Sequence, residues 1–395
     1  MVRCLSLLII CILLFKFNFS QTNYPIVFVP GFLCSILEVR VNTTIVDVCP
    51  KSLHNQWTVL WLNVRLFEPE YLLCFHKIFT FIYNETTNEF VNENGIETRV
   101  VSHSNKSLFL DGLLWEYVGL DLFRNHFIEK YHYKDGIDLR SIAYDFRRGN
   151  KQSLSLFNQQ LKQLIESTFT TNNNKSIYLI SHSLGGSMSL QFLSEQNQLW
   201  KDQYIRGWIS LSGNLAGGID NIENVVKGFV SPLIPSKITQ TWDFFSWRLP
   251  EAIVYDENII IVQTPSKNYT AKCMFQLLND LNAKQLAQVY VESSLIIGSL
   301  PSPNVNTYFF FGANISTPIA YSSTTDTFDK LETIYGLGDG ELDYKSLMSC
   351  QLWNSTMNSK YKLVIEPFTD VTHIGMVGNK MVLQKIDEIL FDLIK

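Results

Sequence analysis

The sequence predicts an α/β fold in which a mostly parallel sheet is covered by helices on both faces. Apolar runs of strand length, such as residues 24–29, 177–180 and 205–211, alternate with longer stretches of helical periodicity. Strands and helices that alternate in this way are typical of parallel sheets. The chain has 395 residues, 46% of them hydrophobic, and is therefore long enough to bury a large core.

The expected elements follow one another without an internal repeat. Strands are expected at residues 24–29, 137–143, 177–180, 205–211, 259–262, 306–311 and 361–365. Helices are expected at residues 113–131, 153–169, 184–195, 274–297 and 376–394, where apolar side chains recur with a helical period. Residues 80–110 have the composition of strands and turns. We expect residues 21–395 to form one elaborate domain.

Two stretches lack a clean period and are interpreted as insertions into this domain. Residues 214–256 carry glycine, proline and aromatic side chains, which suits a cap or lid. Residues 35–80 are rich in large apolar side chains, including Trp57 and Trp61. Such a stretch fits a core element and a loop that contacts lipid equally well, because Trp and Tyr are stable at a membrane interface.

The N-terminus indicates entry into the secretory pathway. Residues 1–20 combine Arg3 with an apolar run of signal-peptide length, too short for a membrane span; an uncleaved anchor is the weaker alternative. Sequons for N-glycosylation follow at Asn42, Asn84, Asn105, Asn174, Asn268, Asn314 and Asn354. We therefore expect a glycoprotein that is secreted or lysosomal.

Charge and cysteine content exclude several classes of function. The net charge of −5 gives no reason to expect a nucleic-acid partner. After removal of the signal peptide the cysteines are Cys34, Cys49, Cys74, Cys273 and Cys350, an odd set that leaves at least one free thiol. Their spacings match no zinc pattern, and we expect neither a metal nor another cofactor.

Ser183 is the candidate nucleophile. It lies between the apolar run 177–180 and the expected helix 184–195, with the small residues Ser181 and Gly185 two positions away on either side. A nucleophile elbow has this pattern, because strand and helix approach closely at a tight turn that exposes one hydroxyl. The usual motif is Gly-x-Ser-x-Gly, and Ser181 replaces its first glycine.

A serine needs a base to accept its proton and a carboxylate to orient that base. On a doubly wound hydrolase sheet they follow the serine in the order carboxylate, then histidine. His373 is the one histidine that follows Ser183, and it lies in an expected turn before the last helix. Asp339 lies in a glycine-rich loop between the last two strands, with Asp343 and Asp329 as competitors that the spacing does not exclude.

The oxyanion of the reaction needs backbone N–H donors that are already in place. One donor is expected to be the N–H of Leu184, directly after the nucleophile. The other is expected from the loop that follows the first strand, Pro30-Gly31-Phe32-Leu33, with Phe32 as the donor. Each such donor contributes roughly 100- to 1,000-fold to the rate.

With these segments in place, the chain resembles the lecithin:cholesterol acyltransferase family, and most closely its lysosomal phospholipase A/acyltransferase branch. The similar segments run nearly end to end. They include Val27-Phe28-Val29-Pro30-Gly31, Trp61-Leu62-Asn63, Ala143-Tyr144-Asp145-Phe146-Arg147-Arg148, Ser181-His182-Ser183-Leu184-Gly185-Gly186, Trp200-Lys201-Asp202-Gln203-Tyr204-Ile205-Arg206, Val262-Gln263-Thr264-Pro265, Asn268-Tyr269-Thr270, Gly338-Asp339-Gly340, Cys350-Gln351-Leu352-Trp353 and His373-Ile374-Gly375-Met376.

The resemblance implies an α/β-hydrolase core with a cap and a small membrane-binding subdomain. It implies that Ser183, Asp339 and His373 form a catalytic triad, that Cys49 and Cys74 form a disulfide, and that Trp57 and Trp61 contact a membrane. The implied reaction transfers a phospholipid acyl chain through an acyl-serine to water or to a lipid alcohol. The implied partners are a phospholipid membrane or lipoprotein surface and the lipid acyl donor and acceptor.

The chain also departs from the family pattern. The residue after Pro30-Gly31 is usually Asp or Cys, and an apolar Phe32 there removes a titratable group beside the acyl intermediate. The usual partner of Cys350 is missing, which leaves Cys350 either free or paired with Cys273 or Cys34. Two alternatives stay open: a lipase or thioesterase for other lipid esters, and a lipid-binding protein without catalysis.

Overall fold

The computed structural model describes residues 23–101, 119–229, 233–328 and 330–391. Its main sheet has six strands, all paired in parallel. In spatial order they are Leu363–Thr369, Thr307–Ala313, Ile205–Leu211, Ile177–His182, Ile26–Val29 and Leu139–Ser141. The prediction of an α/β-hydrolase core is confirmed.

Helices connect the strands and cover both faces of the main sheet, with a separate hydrophobic cluster against each face. The longer ones are Pro69–Phe79, Leu120–Asn125, Lys151–Thr171, Leu184–Glu195, Gln198–Tyr204, Asp220–Lys227, Met274–Asp280, Lys284–Ile297 and Lys380–Leu390. Within the described residues, no helix has the length and apolar content that a membrane span requires.

The order of the strands creates a topological switch point in the main sheet. Ile26–Val29 and Ile177–His182 are neighbours, but the chain leaves them toward opposite sides of the sheet. Ligands bind at such a switch point, outside the carboxyl ends of the strands. The residues that follow these two strands include Phe32 and Ser183, so both lie at the carboxyl edge of the sheet beside this switch point.

Residues 35–80 contribute to a small antiparallel sheet and a helix. Leu37–Val41 pairs with Thr58–Trp61 and Ile96–Val100, and Cys49 forms a disulfide with Cys74 as predicted. The helix Pro69–Phe79, which carries Cys74, packs its apolar face inward.

The structure contradicts the prediction that Trp61 contacts a membrane. The Trp61 side chain is only 5% exposed, and its ring packs against those of Phe67, Phe79 and Phe146. Its indole N–H donates to the carbonyl oxygen of Leu33 at 2.9 Å. Because the ring is buried and its one donor is satisfied, Trp61 belongs to the core.

The described residues of the segment 214–256 form no extended sheet. They contain the helices Asp220–Lys227 and Ser236–Thr239, a two-stranded ribbon of Gly228–Phe229 and Ile234–Pro235, and the 3₁₀ turn Asp243–Trp247. Five aromatic side chains from the described part of this segment are buried: Trp242, Phe244, Phe245, Trp247 and Tyr255.

Several expected element boundaries were wrong. The single helix expected at 274–297 is broken near Asn282, whose φ of 59° cannot continue a right-handed helix. The last helix begins at Lys380, after a 3₁₀ turn at Ile374–Val377. The antiparallel strands Ile315–Ser323 and Leu331–Gly338 were not predicted. Together with Val262–Gln263 and Asn268–Tyr269 they form a further sheet.

The expected signal peptide and residues 113–118 of the expected helix 113–131 lie outside the described residues.

Replacing both Cys49 and Cys74 with serine is expected to lower the free energy of unfolding by ~3 kcal/mol, because the disulfide closes a loop of 25 residues. Urea unfolding followed by circular dichroism measures the change. Cys273→Ser is the matched control, since Cys273 is a free, half-buried thiol. Equal unfolding midpoints for the double variant and the wild type would contradict this prediction.

Candidate active site

Ser183 occupies a strained turn between the strand Ile177–His182 and the helix Leu184–Glu195. Its φ of 54° and ψ of −124° are rare for a non-glycine residue. A methyl group at Gly185 would lie 2.3 Å from the carbonyl oxygen of Val29, so only glycine fits there. Such strain and close approach are typical of a nucleophile elbow.

The departure from the usual motif at Ser181 has a structural explanation. Ser181 is fully buried, and its hydroxyl accepts a hydrogen bond from the indole N–H of Trp208 at 2.8 Å. A buried indole N–H without a partner would cost free energy, so the serine side chain stabilises this side of the elbow.

Asp339 and His373 are brought together by the ends of two strands. His373 Nδ1 donates to Asp339 Oδ2 at 2.7 Å, and the His373 backbone N–H donates to the Asp339 carbonyl oxygen at the same distance. The other carboxylate oxygen accepts from the N–H groups of Glu341 and Leu342. Burial alone would raise the pKa of Asp339, but His373 holds it below its usual value. Asp339 is therefore an anion aimed at His373.

The competitors of Asp339 do not reach His373 in the described structure. Asp343 Oδ1 caps the helix Tyr344–Leu347, and its other carboxylate oxygen accepts a hydrogen bond from Tyr255. These contacts give Asp343 a structural role. Asp329 lies outside the described residues.

His182 supports the histidine loop, a role that the sequence did not predict. Its Nε2 donates to the carbonyl oxygen of His373 at 3.0 Å, because a carbonyl can only accept. Burial lowers the pKa of His182 to about 3, so the ring is neutral. We infer that His182 positions the backbone of His373.

The loop that carries Phe32 passes directly against the elbow. A methyl group at Gly31 would lie 3.1 Å from Ser183 Cβ. The Phe32 ring stacks on Phe244 with 4.5 Å between centroids and also contacts Trp242. This packing holds in place the loop that carries the Phe32 backbone N–H, which the sequence predicts as an oxyanion donor together with that of Leu184.

Glu341 and Arg248 adjoin the site and were missed by sequence reasoning. Glu341 Oε2 lies 3.5 Å from His373 Nε2 and 3.9 Å from Arg248 Nη2. His373 Nε2 has no hydrogen-bond partner among the described residues, so its hydrogen bond with Ser183 is not formed here. Catalytic hydrogen bonds are often formed only when substrate is bound. The glycine-rich loop allowed Asp339 to be predicted from the sequence. No feature of the sequence linked Arg248 to that loop.

Two carboxylates, those of Asp339 and Glu341, lie next to His373, whereas a Ser-His-Asp triad contains one. Burial alone would lower the pKa of His373, but the Asp339 and Glu341 carboxylates outweigh that effect and raise it to about 9. A cleft of about 610 Å³ lined by Asp339, Glu341 and His373 opens beside it. The two carboxylates therefore stabilise the protonated ring, which must lose its proton before it can act as a base.

Replacing Glu341 with glutamine is expected to shift the acid limb of the pH–rate profile to lower pH. The Glu341 carboxylate stabilises protonated His373, so its removal lowers the pKa of His373 and leaves more neutral base at acidic pH. The pH dependence of kcat/KM on a soluble ester measures the shift. Glu332→Gln, at an exposed carboxylate, is the control, and an unchanged midpoint for Glu341→Gln would contradict the prediction.

The remaining predicted residues are placed as follows. Trp57 is half-buried, with the guanidinium groups of Arg99 and Arg40 at 4.0 and 5.1 Å from its ring. The described sequon asparagines Asn42, Asn84, Asn174, Asn268, Asn314 and Asn354 are exposed or half-buried, and Asn105 lies outside the described residues. Among the described residues, no group of three or more His, Cys, Asp or Glu side chains could hold a metal ion.

The cysteines left open by the sequence are all free thiols: Cys34, Cys273 and Cys350. Burial raises the pKa values of Cys34 and Cys350 to about 12. Because the thiolate is the reactive form, these two thiols are inert near neutral pH.

Comparison with known proteins identifies the family of this chain. A family model described as lecithin:cholesterol acyltransferase matches residues 57–297, more than half of the chain. The chain is 26% identical to the lysosomal phospholipase A and acyltransferase of Homo sapiens, covering 93% of this chain and 90% of that protein. It is 28% identical to the phosphatidylcholine-sterol acyltransferase of Gallus gallus, covering 92% and 89%. A chain in the crystal structure of the Tle4–Tli4 complex shares the fold, with a TM-score of 0.55, 10% identity and coverage of 94% and 98%. The protein described here belongs to the lecithin:cholesterol acyltransferase family.

Proposed function

We propose that this protein is a serine phospholipase and O-acyltransferase that removes an acyl chain from a glycerophospholipid. The observation that carries the proposal is the buried Asp339–His373 pair, which two hydrogen bonds of 2.7 Å hold together near the strained Ser183. Membership of a family whose relatives include a phospholipase A and a sterol acyltransferase supports a phospholipid as the acyl donor.

The proposed reaction has two acyl transfers. Ser183 Oγ attacks the ester carbonyl while His373 Nε2 accepts its proton, and the N–H groups of Phe32 and Leu184 hold the oxyanion. Collapse of the tetrahedral intermediate breaks the ester C–O bond, and His373 returns the proton to the leaving lysophospholipid oxygen. Water or a lipid alcohol then attacks the acyl-serine with His373 again as base. Asp339 keeps the ring in the tautomer that leaves Nε2 free to accept.

The insertion at residues 35–80 is proposed to contact the lipid surface, and the segment 214–256 is proposed to act as a cap. Several apolar side chains of the first segment are exposed, which supports a membrane or lipoprotein partner: Ile45, Val48, Val59, Val64 and Leu73. Trp57, between two arginines, suits an interface that carries phosphate groups. We further propose that the protein acts in the secretory pathway, either secreted or in the lysosome.

One assay tests the activity and separates the alternatives. Phosphatidylcholine liposomes with a labelled sn-2 chain and added ceramide or sterol are incubated with wild type and with Ser183→Ala. Label in free fatty acid supports phospholipase action, and label on the alcohol supports acyl transfer. If wild type releases no label at acidic or neutral pH, the proposal fails. Cleavage of triacylglycerol or a thioester alone would favour the lipase or thioesterase alternative, and no cleavage of any ester would favour a lipid-binding role.

A further inference from the structure

Arg248 is a buried cation whose hydrogen-bonding capacity is largely unused. Its side chain is only 4% exposed, and neither Nε nor Nη2 has a hydrogen-bond partner among the described residues. The guanidinium lies 5.4 Å from the Phe32 ring and 5.9 Å from the Phe244 ring. A buried charge without hydrogen bonds is costly, so these donors point to an anion that is not part of the chain.

The carboxylates near Arg248 do not satisfy it. Asp220 Oδ2 and Glu341 Oε2 lie 3.6 and 3.9 Å from Nη2, beyond hydrogen-bond distance. Burial raises the pKa of Asp220 and so disfavours the negative charge on this carboxyl. The positive charge of Arg248 is therefore incompletely compensated.

Glu341 marks the position where an external anion would fit. Its carboxylate lies between Arg248 and His373 Nε2, and its side chain is 38% exposed. It also lines the open cleft beside His373. An anion that entered from this cleft and displaced Glu341 would reach Arg248 while remaining next to the catalytic base.

We propose that Arg248 binds the phosphodiester of the lipid substrate and makes this site select glycerophospholipids over neutral lipid esters. The phosphodiester and the scissile ester share one glycerol backbone, so an arginine beside the Phe32 loop places the ester carbonyl near Ser183. A guanidinium suits this task because it donates two parallel hydrogen bonds to phosphate oxygens. The inference rests on the proposed function and adds a determinant of its substrate class.

The test compares two substrates that differ in the phosphate headgroup. Release of oleate from dioleoylphosphatidylcholine and from dioleoylglycerol is measured in the same nonionic micelles, and the ratio of their kcat/KM values is the readout. Arg248→Met is expected to lower this ratio by about 10- to 100-fold, the loss expected for a charged hydrogen bond. Arg248→Lys should restore part of it. Glu341→Gln, which removes a competing anion, should raise it.

Two controls separate recognition from folding. Lys272→Met removes an exposed cation paired with Glu257 and should leave the ratio unchanged. The urea unfolding midpoint of Arg248→Met shows whether the fold survives. An equal loss on both substrates, or an unchanged ratio, would overturn the assignment.

A binding measurement keeps this inference separate from the proposed catalysis. Calorimetric titration of Ser183→Ala with dihexanoylphosphatidylcholine should give a dissociation constant that rises about 10- to 100-fold when Arg248→Met is added. If binding depends on Arg248 but the wild-type protein hydrolyses nothing, only the proposed catalysis is refuted. Equal binding with and without Arg248 would refute the inference even in an active enzyme.

Discussion

Replacing Ser183 with alanine is expected to lower kcat on a phospholipid by on the order of 10⁴- to 10⁶-fold. The alanine keeps the proposed oxyanion donors but removes the hydroxyl that we propose forms the acyl-enzyme. Since nucleophile and base act as one unit, adding His373→Ala to Ser183→Ala should cause little further loss. Single-turnover release of labelled fatty acid measures both effects.

Ser194→Ala is the matched control for this series. Ser194 lies on the same helix, Leu184–Glu195, but is exposed, and its hydroxyl donates only to the Gln191 carbonyl oxygen. Its kcat should stay within about twofold of wild type, because exposed substitutions away from special contacts have small effects. If Ser183→Ala retained more than a hundredth of the activity, Ser183 would not be the nucleophile.

The nucleophile elbow could be predicted from the sequence because the residues that define it lie close together in the chain. The strand at 177–182 is buried throughout and begins with the apolar run 177–180, and the following helix has the predicted bounds, Leu184–Glu195. The small residue at position 185 follows from the close approach of two backbones, which any tight turn of this type imposes. Such features depend on neighbours within a few residues.

Other features depend on contacts between distant parts of the chain and leave no local signal. Trp61 sits in an aromatic stretch that suits both a core and a membrane surface, and only its packing against Phe79 and Phe146 places it in the core. Arg248 and Glu341 are adjacent in space but far apart in sequence. Sequence spacing likewise could not separate Asp339 from Asp343, because both lie near the same turn.

Replacing Asp339 with asparagine is expected to lower kcat by on the order of 10⁴-fold while leaving the fold intact. Asp339 Oδ1 accepts from the N–H groups of Glu341 and Leu342, so an asparagine would place its carbonyl oxygen there. Its NH₂ group would then face His373 Nδ1, which would have to accept instead of donate. The proton would move to Nε2, and the ring could no longer accept the Ser183 proton.

Asp343→Asn is the matched control for that substitution, because it makes the same chemical change four residues away. Asp343 caps the helix Tyr344–Leu347, and asparagine caps helices about as well as aspartate does. With the amide oxygen at the cap, the NH₂ group faces Tyr255 and can donate to its hydroxyl oxygen, so a hydrogen bond is kept here with its direction reversed. We therefore expect kcat to fall less than tenfold for Asp343→Asn, measured with unfolding midpoints for both variants. Losses of equal size would show that Asp339 is not the carboxylate that orients His373.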